Sequence, residues 1–226
     1  MRIDVVSIFP EAIAGGCAHS IVARAMRRGL VEVTPWDPRR WAGGRHRPVD
    51  DRPFGGGPGM VLMAPPIAGC LDHLLAVQPR PRLLMTDPKG RRLDQAWVRE
   101  LAAERHLVVV CGHYEGIDER IAEVYGPELF SVGDYVLSGG ELPALTLIDA
   151  VVRLQPGALQ DPESALAESF SAGAALDHPC FTRPRVFRDL AVPEALLSGD
   201  HAAIARWRAA RQRAQDDRAQ RPTSSS

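Results

Sequence analysis

Five short strand-like segments recur along the chain, Ile3–Phe9, Leu30–Thr34, Arg82–Met85, Leu107–Cys111 and Leu129–Val132. Helix-compatible stretches alternate with them at Ile13–Arg28, Ala64–Ala76, Asp94–Glu104, Ile117–Val124 and Pro143–Leu154. This alternation restricts the fold more than any other feature, because parallel strands can be joined only by long crossovers, and helices supply those crossovers. It predicts an α/β domain with a mainly parallel sheet. Leu107–Val110 is apolar at every position, as a central strand covered by helices on both faces must be. Pro143 falls in the first turn of the last helix, where its missing N–H costs nothing.

After Leu154 the texture changes. Gln155–Gly173 is loop-like, with Pro156, Gly157 and Pro162 among small residues. Pro179–Arg188 is basic and interrupted by prolines, and a helical segment follows from Pro193 to about Gln220. In it Leu196, Leu197, Ile204 and Trp207 form an apolar stripe. The expected organisation is a domain over 1–154, a linker over 155–173 and a small helical C-terminal domain over 174–226. Structureless connections longer than about 12–15 residues are uncommon unless functional, so the linker is a candidate active-site segment. Residues 221–226 read as a frayed tail, and there is no internal repeat.

Apolar residues make up 45% of the 226 and charged residues 24%, the balance of a globular protein. No apolar run is long enough to span a bilayer, and the N-terminus enters a strand without the pattern of a signal peptide. Cys17, Cys70, Cys111 and Cys180 are widely spaced, with no CxxC. They read as buried free thiols in a reducing, cytoplasmic setting, and no metal site is expected from them. Net charge is −1, yet residues 39–52 hold five Arg against two Asp, and residues 183–221 hold nine Arg against five acids. The planar guanidinium fork suits phosphate, although compositional bias in an Ala-rich chain also produces such an excess.

Three segments carry the chemistry. Arg45-His46-Arg47-Pro48-Val49-Asp50-Asp51-Arg52-Pro53-Phe54-Gly55-Gly56-Gly57-Pro58-Gly59-Met60 mixes glycines, arginines, a histidine and an aromatic, which suits contact with phosphates and bases. It lacks the Gly-Lys-Ser/Thr ending of a P-loop, so nucleotide hydrolysis is a weak reading. Cys111-Gly112-His113-Tyr114-Glu115-Gly116-Ile117-Asp118-Glu119-Arg120 follows the central strand, where open α/β sheets bind ligands. Ser131-Val132-Gly133-Asp134-Tyr135-Val136-Leu137-Ser138-Gly139-Gly140-Glu141-Leu142-Pro143 likewise joins a strand to a helix. No segment contains GxGxxG, against a Rossmann cofactor site. Taken singly, each segment is also compatible with a plain glycine turn.

Together they resemble the bacterial tRNA (guanine-N1)-methyltransferase family of the knotted SPOUT methyltransferases. The resemblance runs from Ile3 to about Pro222 and includes Ser7-Ile8-Phe9-Pro10, Val49 to Met60, Cys111 to Arg120 and Gly133 to Pro143. Thr182-Arg183-Pro184, Val192-Pro193 and Leu197-Ser198-Gly199 complete it. It implies a C-terminal trefoil knot in the α/β domain, holding S-adenosylmethionine bent at the carboxyl ends of the strands. Unknotted chains are the rule, so no pattern argument predicts this. Pro88, Gly112, Val132, Gly133, Asp134, Tyr135, Val136 and Leu137 would line the cofactor pocket, with Gly139 and Gly140 closing the knot loop. The resemblance also implies a homodimer with active sites shared between protomers, and tRNA as partner. A magnesium ion is a family expectation that no ligand set in this sequence establishes.

Guanine N1 is protonated at neutral pH, so its methylation requires a base for that proton and a cation or donor near O6. In the family the base is an aspartate before Ser-Phe or Ser-His in the linker. This chain has Ala167-Glu168-Ser169-Phe170, so Glu168 takes that position with one more methylene. Asp161 and Asp177 are the fallback bases. Arg153 matches the family's catalytic arginine, its alternative role being a charge at the end of a helix. Arg45, His46, Arg52 and Arg183 are expected tRNA contacts. Met85-Thr86-Asp87 and His113 depart from Tyr-Leu-Ser and Arg in many relatives. A non-catalytic RNA-binding relative and a same-fold enzyme acting on another base are the rival readings.

Overall fold

The computed structural model describes residues 1–159 and 178–219. Contacts divide the chain into two units, residues 1–160 and 161–226. In the first, β1 (Arg2–Val6), β2 (Glu32–Trp36), β5 (Arg82–Arg92), β6 (His106–Val110) and β7 (Glu128–Ser131) form one sheet in the order β2-β1-β6-β5-β7. Every pairing in it is parallel. The expected α/β architecture with a parallel sheet is therefore present.

Alternation along β6 explains its uniformly apolar sequence. Leu107 and Val109 face one core with Ile13, Val22, Trp97, Leu101, Leu147 and Val151, all buried. Those partners come from α1 (Pro10–Gly16), α2 (Ser20–Arg27), α4 (Gln95–Ala102) and α6 (Glu141–Val152). Val108 and Val110 face the opposite core, with Ile67, Leu71 and Leu74 of α3 (Ala64–Leu75) and Ile121 of α5 (Arg120–Tyr125). Both faces are filled, so a polar residue on either would be desolvated without a partner.

The expected single helix over Ile13–Arg28 is two helices. Gly15 and Gly16 weaken the first, Cys17 caps it, and His19 is extended before α2 begins. The strand expected at Arg82–Met85 continues to Arg92: Thr86 and Arg91 both register against Phe130, and Asp87–Gly90 bulges out between them. Gly90 is required at the return of that bulge. A Cβ there would stand 2.5 Å from Leu129 C and Phe130 Cα, which is backbone and cannot step aside. A small antiparallel pair, β3 (Asp50–Asp51) with β4 (Val61–Leu62), also went unread, since two-residue strands carry no periodicity.

In the second unit β8 (Val186–Phe187) pairs antiparallel with β9 (Leu190–Ala191). The helical segment expected from Pro193 is split into Glu194–Leu197 and His201–Ala219. Gly199 takes a φ of 73° between them, and the Asp200 carboxylate caps the second helix by accepting from the Ala202 and Ala203 N–H groups. Phe181 meets Trp207 edge-on at 5.9 Å. Leu196, Ile204 and Trp207 are half-buried, whereas Leu197 is exposed, so the stripe is narrower than expected.

All four cysteines are free thiols, and Cys180 corrects the expectation that all are buried. Burial pushes the Cys70 thiol up to about 12, with Asp4 adding to the rise, and lifts Cys17 and Cys111 as well. A thiolate-selective chromogenic disulfide at pH 8 is expected to titrate one thiol quickly and three only after denaturation. Cys180→Ser should remove the fast phase; rapid release of two or more thiols from the native protein would contradict this burial.

Candidate active site

In a parallel sheet all carboxyl ends lie at one edge, so the loops that follow β5, β6 and β7 converge there. The Thr86 hydroxyl accepts from the Gly112 N–H at 2.9 Å and donates to the Val110 carbonyl at 3.4 Å, tying the first two loops together. The Gly140 N–H donates to the Gly112 carbonyl at 2.7 Å, and His113 bridges Gly139 antiparallel. The segment after β7 is thereby stitched to the loop after β6. At its start, Ser131 Oγ donates to the Gly133 carbonyl and accepts from the Gly133 N–H, fixing a tight turn.

Gly140 is a glycine for reasons of space alone. Its φ of −81° and ψ of −3° suit any residue. A Cβ on it, however, would stand 2.8 Å from Cys111 Cα and Gly112 N and would also strike Thr86 Oγ1. Two backbones cross here with no room for a side chain between them.

These loops enclose a cavity of about 320 Å³, within the range of small-molecule sites. Pro88, Gly112, Val132, Gly133, Tyr135, Val136, Leu137, Gly139 and Gly140 line it. Asp134 does not: its side chain is exposed, 3.9 Å from an Arg92 guanidinium nitrogen. Thr86, His113, Glu115, Ile117, Phe130 and Pro143 are among the other residues of the wall. The mixture suits a nucleoside-sized ligand, with apolar edges for a flat base and close glycine backbone for hydrogen bonds.

Arg153 caps the C-terminal end of α6. It lines an adjoining depression with Gln95, Leu142, Thr146 and Asp149, which shares Val132, Tyr135 and Leu137 with the main cavity. Arg153 and the glycine-walled cavity are thus neighbours. Arg45, His46 and Arg52 are exposed on the segment around β3 and do not line the cavity. Arg183 is exposed in the second unit. Glu168, Asp161 and Asp177 lie outside the described residues. Among the described residues no three His, Cys, Asp or Glu side chains gather as a metal site, and no helix is long and apolar enough to cross a membrane.

One pair was missed by sequence reasoning. The Ser7 hydroxyl, at the end of β1, donates to Glu141 Oε1 at 2.6 Å. The two are 134 residues apart, and each alone looks ordinary, one a loop serine and the other an acidic residue opening a helix.

A parallel sheet carrying a glycine-walled cavity over its carboxyl ends defines a protein of the open α/β class with a site for a small ligand. Over residues 1–224 the chain matches the family model described as tRNA (Guanine-1)-methyltransferase TrmD. It belongs to that family, and so is a transferase of the methyltransferase class. A tRNA (guanine-N(1)-)-methyltransferase of Pseudomonas fluorescens is 51% identical over 209 residues, covering 92% of this chain and 83% of the relative. The enzyme of that name from Rhodopirellula baltica is 49% identical over 217 residues, covering 95% and 90%. Among solved structures, the tRNA (m1G37) methyltransferase from Aquifex aeolicus superposes with a TM-score of 0.76 at 40% identity, covering 92% of this chain and 87% of that one.

Proposed function

We propose that this protein transfers a methyl group from S-adenosylmethionine to N1 of the guanine immediately 3′ of the tRNA anticodon. The observation that carries the reading is the glycine-walled cavity with Arg153 beside it, in a chain of this family. When bound there, S-adenosylmethionine supplies an electrophilic methyl on a sulfonium, which needs placement more than activation. Pro88, Gly112, Val132, Gly133, Tyr135, Val136, Leu137, Gly139 and Gly140 would hold it. The proposed knot forms where the segment ending at Gly140 crosses the chain at Cys111 and Gly112.

The protein's part in the chemistry is proton and charge management. Glu168 takes the N1 proton, leaving a lone pair on nitrogen and negative charge spread to O6, and the Arg153 guanidinium stabilises that charge. Arg45, His46, Arg52 and Arg183 contact the tRNA, whose loop guanine unstacks to enter the site. Exposed Tyr135, Leu137 and Leu142 beside Arg153, together with exposed Val136, support a homodimer in which each site is completed by the partner's linker, residues 155–173. The C-terminal segment 174–226 serves tRNA binding. Reduced thiols agree with a cytoplasmic setting.

Unmodified tRNA transcript incubated with enzyme and labelled methyl donor, then digested to nucleosides, tests the reading. The expected product is 1-methylguanosine, lost when the guanine 3′ of the anticodon is replaced by adenine. Another methylated nucleoside would identify a same-fold enzyme with a different target. Retained tRNA binding without any product would identify a non-catalytic RNA-binding relative.

A further inference from the structure

Glu141 is the first residue of α6 and only 9% exposed, whereas most carboxylates among the described residues reach water. Its Oε1 accepts from the Ser7 hydroxyl, and Ser7 Oγ in turn accepts from the Phe9 N–H at 2.8 Å. That second bond orients the serine proton toward Glu141, so Oε1 acts only as an acceptor. A glutamine would accept the same bond without burying a charge. The N-terminus of α6 offsets part of the cost of the carboxylate. A fixed counter-ion does not, because among the described residues no Arg or Lys pairs with it. The nearest basic atom is His113 Nδ1, 3.8 Å from Oε2, itself buried and without a hydrogen-bond partner.

The position of the charge gives it a use. Oε2 and His113 Nδ1 both press against Gly139, where a Cβ would collide with each. Gly139, Gly140, His113 and Pro143 all line the cavity, so the carboxylate stands directly behind its wall. Resting on the methyl-donor reading above, we propose that Glu141 is an electrostatic determinant that makes the cavity favour the cationic sulfonium donor over its neutral thioether product. The interior is weakly screening, so a fixed negative charge acts through the thickness of a glycine. The ammonium and carboxylate common to both ligands respond alike, so the positive sulfur makes the difference between them. Product then leaves more readily than donor, at no cost in shape complementarity.

Calorimetric binding of S-adenosylmethionine and S-adenosylhomocysteine to the full chain tests this. Glu141→Gln is expected to weaken the sulfonium ligand about tenfold and the thioether less than twofold, with no fall in melting temperature. Glu141→Asp, which keeps the charge, should keep the preference. His113→Arg offers an independent neutral site, since a guanidinium beside Oε2 cancels the field without altering Glu141; the preference should fall there too, whatever happens to affinity overall. An unchanged donor-to-product ratio in either folded neutralising variant overturns the proposal. If the unaltered protein binds neither ligand, the methyl-donor reading itself fails, and this inference with it.

Discussion

Gly140→Ala is expected to abolish cofactor binding, weakening it more than 100-fold, and to lower the melting temperature by roughly 5–10 °C. Overpacking a filled site typically costs about 1–3 kcal/mol, and a domain of this size loses about 2–4 °C per kcal/mol. The upper end applies because the added methyl meets Cys111 Cα and the Gly112 nitrogen, which are main chain, besides Thr86 Oγ1. Relief requires the two crossing segments to separate, breaking the 2.7 Å bond from Gly140 to Gly112 and opening the cavity wall. Gly15→Ala is the control: it lies in α1 with nothing near its Cβ, and should be neutral or raise stability by about 0.5–1 kcal/mol. Scanning calorimetry and donor titration of the two variants separate the effects. Wild-type donor affinity in Gly140→Ala would mean the crossing has slack that its spacing does not show.

Glu168→Gln is expected to lower the methylation rate at saturating substrates by about 10²–10³, within the range for a lost general base. Affinities for tRNA and donor should change less than threefold, since the amide keeps the size and polarity of the side chain. Raising the pH should restore part of the rate, because solvent then removes the N1 proton that the carboxylate no longer takes. Glu168→Asp, the residue of the family pattern, should remain active. Single-turnover kinetics with preformed complex gives the chemical step directly. Full activity in Glu168→Gln would move the base to Asp161 or Asp177 while leaving the overall reaction intact.

Leu107–Val110 shows what made the sheet legible. A strand buried on two faces has no polar positions to spare, so its sequence announces both its conformation and its central place. The break between α1 and α2 was harder to read, because one or two glycines inside a helical pattern are tolerated as often as they terminate it. The glycine loops were visible as motifs, and nine of the ten residues singled out through the family resemblance line one cavity. Asp134 differs because, within a turn, neighbouring side chains diverge, and periodicity does not reach into turns. The Ser7–Glu141 bond was beyond sequence reading for another reason: it depends on β1 ending and α6 beginning at the same edge, which only the assembled sheet determines.

Phe130 is claimed twice by β5, once by Thr86 and once by Arg91. The excursion between them, which carries Pro88 to the rim of the cavity, is thus a noose anchored at a single rung. Its circumference is decoupled from the ladder, so residues can be added to or taken from the lip without sliding one strand along the other. The entrance to the cavity can thus change in length while the sheet that bears it keeps its register.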